Sequence, residues 1–178
     1  MATNPENSRP SRALVIGYGS PIRGDDAIGP LVAEHLERDG VPAGVTVLAR
    51  HILTADLVPD ICAADLVVFI DATPDGEPGE VHCRPLTPDP TSIAPMAHAL
   101  DPRELLTWAA ALYDHDPRAY LVSTPGHSFD FAHFGLSEPV AGAVEALAAR
   151  VRELIAEPPG IDGQRVVSNA FGDGSITS

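Results

Sequence analysis

The chain has 178 residues, 44% hydrophobic and 20% charged, which suits one soluble globular domain with a substantial core. Its 25 acidic against 11 basic residues give a formal charge of −14. That balance argues against electrostatic binding to nucleic acid or to an anionic membrane surface, and no apolar run reaches the roughly 18 residues of a membrane span.

Met1 to Arg12 is polar and proline-containing, without the apolar stretch of a signal peptide, and reads as a flexible arm before a single α/β domain over 13–156. Strand-like runs follow at Ala13–Gly17, Val45–Ala49, Leu66–Ile70, Glu80–Leu86 and Ala119–Ser123. The third, Leu-Val-Val-Phe-Ile, is apolar throughout, as a central strand covered on both faces should be. Between them, Leu31–Arg38 places Leu31, Val32, His35 and Leu36 on one helical face. Asp56–Cys62 predicts a short helix, interrupted or ended near Pro59. Asp101-Pro102 with Glu104 forms a capping-box-like start to a helix running through Leu112. A last helix after Ser137-Glu138-Pro139 sets Val140, Val144, Leu147, Val151 and Leu154 in one stripe. The Pro/Gly-rich tail over 157–178 is expected to be mobile or disordered.

The order β-α-β-α-β-β-α-β-α predicts a three-layer α/β sandwich, phosphorylase/hydrolase-like, around a mixed, mostly parallel five-stranded sheet. The connection Thr73–Gly79 has no room for a crossover helix, so the fourth strand should be antiparallel. Cys62 and Cys83 are too far apart for a Cys-x-x-Cys site and read as reduced core thiols, which points to the cytoplasm.

The most informative stretch is Gly-Tyr-Gly-Ser-Pro-Ile-Arg-Gly-Asp-Asp-Ala-Ile-Gly, from Gly17 to Gly29, between the first strand and first helix. A glycine-rich turn there usually offers N–H groups to an anion. Here Asp25 and Asp26 would repel a phosphate and suit a cation instead. The third glycine of a dinucleotide fingerprint is replaced by Ile22, and Gly24 is followed by Asp25 rather than a P-loop lysine. Asp26 is the candidate functional acid at the helix start, whereas Asp25 reads more readily as structural because consecutive side chains diverge. Asp71 follows the most apolar strand, at the carboxyl edge where open α/β sheets place their ligands. If strands one and three are neighbours, Asp26 and Asp71 converge. His98, before a well-capped helix, would complete an N/O set for a borderline divalent ion such as nickel or zinc. His51, after the second strand, could line the same pocket. No Gly-x-Ser-x-Gly elbow surrounds Ser123 or Ser128, and His82 and Cys83 point to opposite strand faces.

Together these residues resemble the NiFe-hydrogenase maturation proteases, endopeptidases that process the hydrogenase large subunit. Their pattern Gly-x-Gly-Asn-x-Leu-x-x-Asp-[Asp/Glu]-Gly-x-Gly is matched by Gly17, Gly19, Asp25, Asp26 and Gly29, with Ser20, Ile22 and Ala27 at the variable places. Asp71-Ala72 and His98-Ala99-Leu100 match the family's other two ligand contexts, and the region from Phe129 to Pro139 is also similar. Where some members carry an acid after the second strand, this chain has Arg50-His51, and His51-Ile52-Leu53-Thr54 resembles a branch with His-Gln-Leu-Thr. The resemblance implies metal contacts from Asp26, Asp71 and His98, catalysis of the aspartyl type by Asp26 and Asp71, and substrate contacts by Gly19, Asp25 and His51. It further implies nickel carried by the substrate, no permanently bound cofactor, and a hydrogenase large-subunit precursor as partner, losing its C-terminal extension after nickel insertion. A hydrolase of small peptides or amides with a retained metal, and a non-enzymatic nickel-binding assembly factor, are the alternatives.

Overall fold

Leu66–Ile70 carries no polar side chain because it runs through the middle of the sheet, with all five residues buried. The protein's computed structural model describes residues 12–91 and 100–157. Strands β1 (Ala13–Tyr18), β2 (Val45–Arg50), β3 (Leu66–Thr73), β4 (His82–Leu86) and β5 (Arg118–Pro125) form one sheet in the order β2-β1-β3-β5-β4. All neighbours pair in parallel except β4, which runs antiparallel to β5. The mixed sheet expected from the short third connection is therefore present.

Side chains alternate along each strand and fill two cores. Val15, Val68 and Ile70 face α1 (Ile28–Asp39), α4 (Glu138–Gly142) and α5 (Val144–Ala156). Ile16, Val67 and Phe69 face α2 (Val58–Cys62) and α3 (Pro102–Tyr113). Each such fully buried side chain contributes about 1.5–3 kcal/mol of transfer free energy. The chain leaves β1 through α1 toward β2, then returns past β1 through α2 to β3. Right-handed crossovers in opposite directions place these helices on opposite faces, so the β1/β3 boundary is the topological switch point of the sheet.

Several boundaries differ from expectation. The first helical segment starts as a 3-10 turn over Gly24–Ala27, and Leu31, expected on the buried face, is 38% exposed. Pro59 opens α2 rather than ending it, because its missing N–H is harmless in a first turn. The final helix is two: α4 stops at Gly142 and α5 starts at Val144; of the predicted stripe, Val140, Leu147, Val151 and Leu154 are buried and Val144 is partly buried against the same core. The capping box at α3 is intact, with Arg103 N–H donating to Asp101 Oδ1 and Asp101 N–H to Glu104 Oε2, both at 2.7 Å. Cys62 and Cys83 are free thiols, each partly buried. The expected arm over 1–12 and tail over 157–178 fall outside the described residues except at their inner ends. There, Arg12 N–H donates to Asp65 Oδ2 at 2.8 Å, and Glu157 N–H donates to Glu153 O at 3.0 Å. No helix among the described residues is long and apolar enough to cross a membrane.

Candidate active site

The glycines of the β1–α1 turn bring backbone against backbone. A Cβ on Gly17 would stand 2.0 Å from the Gly29 carbonyl oxygen, and one on Gly29 would stand 2.3 Å from Tyr18 O and 2.4 Å from Ile70 O. The amino end of α1 is thereby seated across the carboxyl ends of β1 and β3. Gly19 has φ +138°, and a Cβ there would lie 1.9 Å from the Asp26 carbonyl oxygen. Gly19 is buried. This conformation lets the turn fold back on Asp26. Gly19→Ala should lower stability by about 2–3 kcal/mol through backbone strain and displacement of Asp26; urea unfolding measures it, and an unchanged midpoint would contradict this packing.

Asp26 is half-buried, and its Oδ2 accepts a hydrogen bond from Ser20 N–H at 2.9 Å. Asp71 does not follow β3 but lies within it, because β5 continues alongside as far as Thr73–Pro125. By alternation its side chain shares a face with Val67 and Phe69, and with Tyr18 of β1. The Tyr18 hydroxyl donates to Asp71, while its ring meets Phe69 edge-on at 6.5 Å and 85°. Ala72 N–H donates to Asp71 Oδ1 at 2.8 Å.

Burial pushes the Asp71 carboxyl up to about 7, against the hydrogen bonds from Tyr18 and Ala72, and the charges of Asp26 and Asp101 raise it further. Burial, then the charge and hydrogen bond of Asp71, also push the Tyr18 hydroxyl up, which keeps it a donor. The two predicted acids thus sit within electrostatic reach of one another at the switch point, together with the α3 cap residue Asp101. His98 lies outside the described residues. The chain resumes at Leu100, whose N–H donates to Leu53 O at 2.9 Å just beyond β2, and then reaches Asp101. His51 is exposed at the same edge, in a shallow cavity of about 270 Å³ lined by Pro21, Pro30, Glu34, Ala49 and Arg50 rather than by either acid. A cavity of about 330 Å³ lies at the opposite edge, around Arg12, Leu14, Thr46 and Asp60.

The burial of Asp25 suits its structural reading. Its side chain is fully buried, accepting from His127 N–H (2.7 Å), Ser128 N–H (2.9 Å), Ser137 N–H (2.7 Å) and the Ser137 hydroxyl (2.8 Å). Burial opposes its charge, but the hydrogen bonds from Ser128, Ser137 and His127 prevail and hold the carboxyl below its ordinary range. Tyr18 and Asp101 are the site neighbours that the sequence reading did not assign. Their signal was positional: one ends the strand beside β3, and the other caps the helix after the His98 segment.

Elsewhere, His35, Asp39 and Glu145 could also offer metal-type donors. Arg152 already donates to Asp39 Oδ2 at 2.8 Å and to Glu145 Oε1 at 3.0 Å, so this group is an ion-pair network joining α1 and α5.

Residues 30–154 match the family model for HycI, hydrogenase maturation protease. The chain belongs to the hydrogenase maturation protease family. It is a peptidase, and the family acts on hydrogenase large-subunit precursors. Among solved structures, the maturation protease HycI from Thermococcus kodakarensis KOD1 is 29% identical with a TM-score of 0.66, over 84% of this chain and 96% of that one. A hydrogenase 2 maturation peptidase from Thaumarchaeota archaeon SCGC_AB-539-E09 is 25% identical with a TM-score of 0.63, over 82% and 98%. The fold is shared as well with the hydrogenase maturating endopeptidase HybD from E. coli, at 23% identity and a TM-score of 0.66 over 81% and 91%. No curated protein matches the chain. The maturation protease fold of these neighbours has the same mixed sheet and flanking helices.

Proposed function

We propose that this maturation protease removes the C-terminal extension of a NiFe-hydrogenase large-subunit precursor after nickel insertion, using Asp26, Asp71 and His98 to engage the nickel that the substrate carries. The reading is supported above all by the position of Asp26 and Asp71 at the switch point, near enough for the Asp26 charge to raise the Asp71 carboxyl. Two carboxylates and an imidazole suit a borderline divalent ion, and three side chains leave coordination positions to the substrate's own ligands. Held by that ion, the precursor presents one peptide bond over the carboxyl edge of the sheet. Hydrolysis requires water to attack the peptide carbonyl, a proton acceptor for that water and a proton for the departing amine. A carboxylate beside the ion can take the proton of the attacking water and pass it to the departing amine. The chain itself is taken to need no resident cofactor, and its setting to be the cytoplasm, where the precursor would be made.

Nickel-loaded precursor incubated with the protein should be shortened, as read by mass spectrometry. Asp26→Asn and His98→Ala should each slow that cleavage by about 10²–10⁴-fold, with unchanged circular dichroism. Cleavage by either variant at the wild-type rate removes that residue from the proposed mechanism.

A further inference from the structure

The segment from His127 to Ser137 plays no part in the chemistry above, yet it is held to the turn bearing Asp26 from both sides. Besides the four bonds into Asp25, Gly24 N–H donates to His133 O and Asp25 N–H to Ser128 O, each at 2.9 Å. Arg23 and His133 pair as a short parallel bridge. A Cβ on Gly24, at φ +55°, would lie 2.6 Å from Ser128 O, so the two segments touch backbone to backbone. Phe131 and Phe134 project from this anchored segment 77% and 75% exposed, and Ile22, on the facing turn, is 36% exposed. Single exposed apolar residues need no explanation. Two exposed phenyl rings stand on either side of the bridged residue His133, and Ile22 immediately precedes its bridge partner Arg23, on the turn that leads to Asp26.

We infer that Phe131, Phe134 and Ile22 are a docking platform for an apolar surface of the precursor polypeptide, seating it beside Asp26. The inference rests on the proposed function and adds to it a second point of attachment that does not involve the metal. The area available argues for this occupant over a second copy of the chain. With 150–250 Å² per aromatic side chain, the two rings offer roughly 300 Å², against about 800 Å² per partner in a stable interface. So small a patch suits a substrate that must leave after one turnover. Apolar attachment also fits a chain of charge −14, which would repel acidic proteins at long range.

The test compares wild type with Phe131→Ser/Phe134→Ser and with Phe131→Leu/Phe134→Leu. Affinity for nickel-loaded precursor and the kinetics of its cleavage are both measured. The serine pair should weaken binding and raise KM at least tenfold, with kcat carrying the smaller share of the loss, and the leucine pair should recover most of it. An unchanged affinity in the serine pair overturns the inference, as does conversion of a wild-type dimer to a monomer without loss of affinity. A wild type that binds the precursor but does not shorten it defeats the proposed cleavage alone, since the affinity comparison still reads the platform. A wild type that does not bind the precursor overturns the platform as well.

Discussion

Asp25→Ala should lower global stability by about 3–5 kcal/mol, because it strands three backbone N–H groups and a hydroxyl where the carboxylate now accepts all four. The loss should be visible as a reduced urea midpoint. Amide exchange should accelerate at His127, Ser128 and Ser137 before the strands are affected, since those N–H groups lose their acceptor outright. Acid dependence gives an independent check. The native carboxyl lies below the ordinary range, so its stabilisation is complete above the unfolded value and is lost as pH falls through the native one. Wild type should therefore weaken below about pH 4, and Asp25→Asn should lose less stability over the same acid interval. Equal urea midpoints for wild type and Asp25→Ala would contradict this account of the clamp.

Asp71→Asn should have effects of opposite sign on stability and activity. With its native value near 7, the Asp71 carboxyl binds a proton more tightly folded than unfolded. Stability from this group is then full below about pH 4, falls as pH rises toward 7 and stays low above it. Asparagine keeps the shape without the buried charge. In the metal-free protein it should gain on the order of 2 kcal/mol at pH 8 and nothing at pH 4. Cleavage of nickel-loaded precursor should fall by about 10²–10⁴-fold. A protein made more stable and less active by the same atom identifies a carboxylate kept for chemistry rather than for folding. A variant less stable at pH 8, or one that still processes at the wild-type rate, would contradict this role.

Much of this arrangement was legible in the sequence because hydrophobic periodicity reports burial. The apolar runs at Leu14–Ile16 and Leu66–Ile70 marked the central strands, and the short turn after Thr73 marked the antiparallel partner. The convergence of Asp26 and Asp71 followed from the general rule about strand ends, once β1 and β3 were taken as neighbours. What was less legible depends on pairing across long separations. Asp71 belongs to β3 because β5 extends to Pro125 beside it, and no local pattern around Asp71 states that. The hydroxyl of Tyr18 reaches Asp71 only through the parallel register of β1 and β3. The contrast between Asp25 and Asp26 was legible only in outline, because the donors that bury Asp25 lie more than a hundred residues away. The break between α4 and α5 fell in a continuous apolar stripe, where burial gives no sign of a helix end.

The clamp made by Asp25 has a consequence for how this protein can vary. It grips its partner segment at two points, His127–Ser128 and Ser137; with Phe129 and Leu136 packed against the core, the stretch over 130–135 is left attached chiefly through His133. Such a stretch behaves as an exchangeable cassette: its tip can be rewritten while its feet stay in place. Grafting the tip of one homologue onto the feet of another should then change which client is accepted without disturbing the scissile machinery a few residues away.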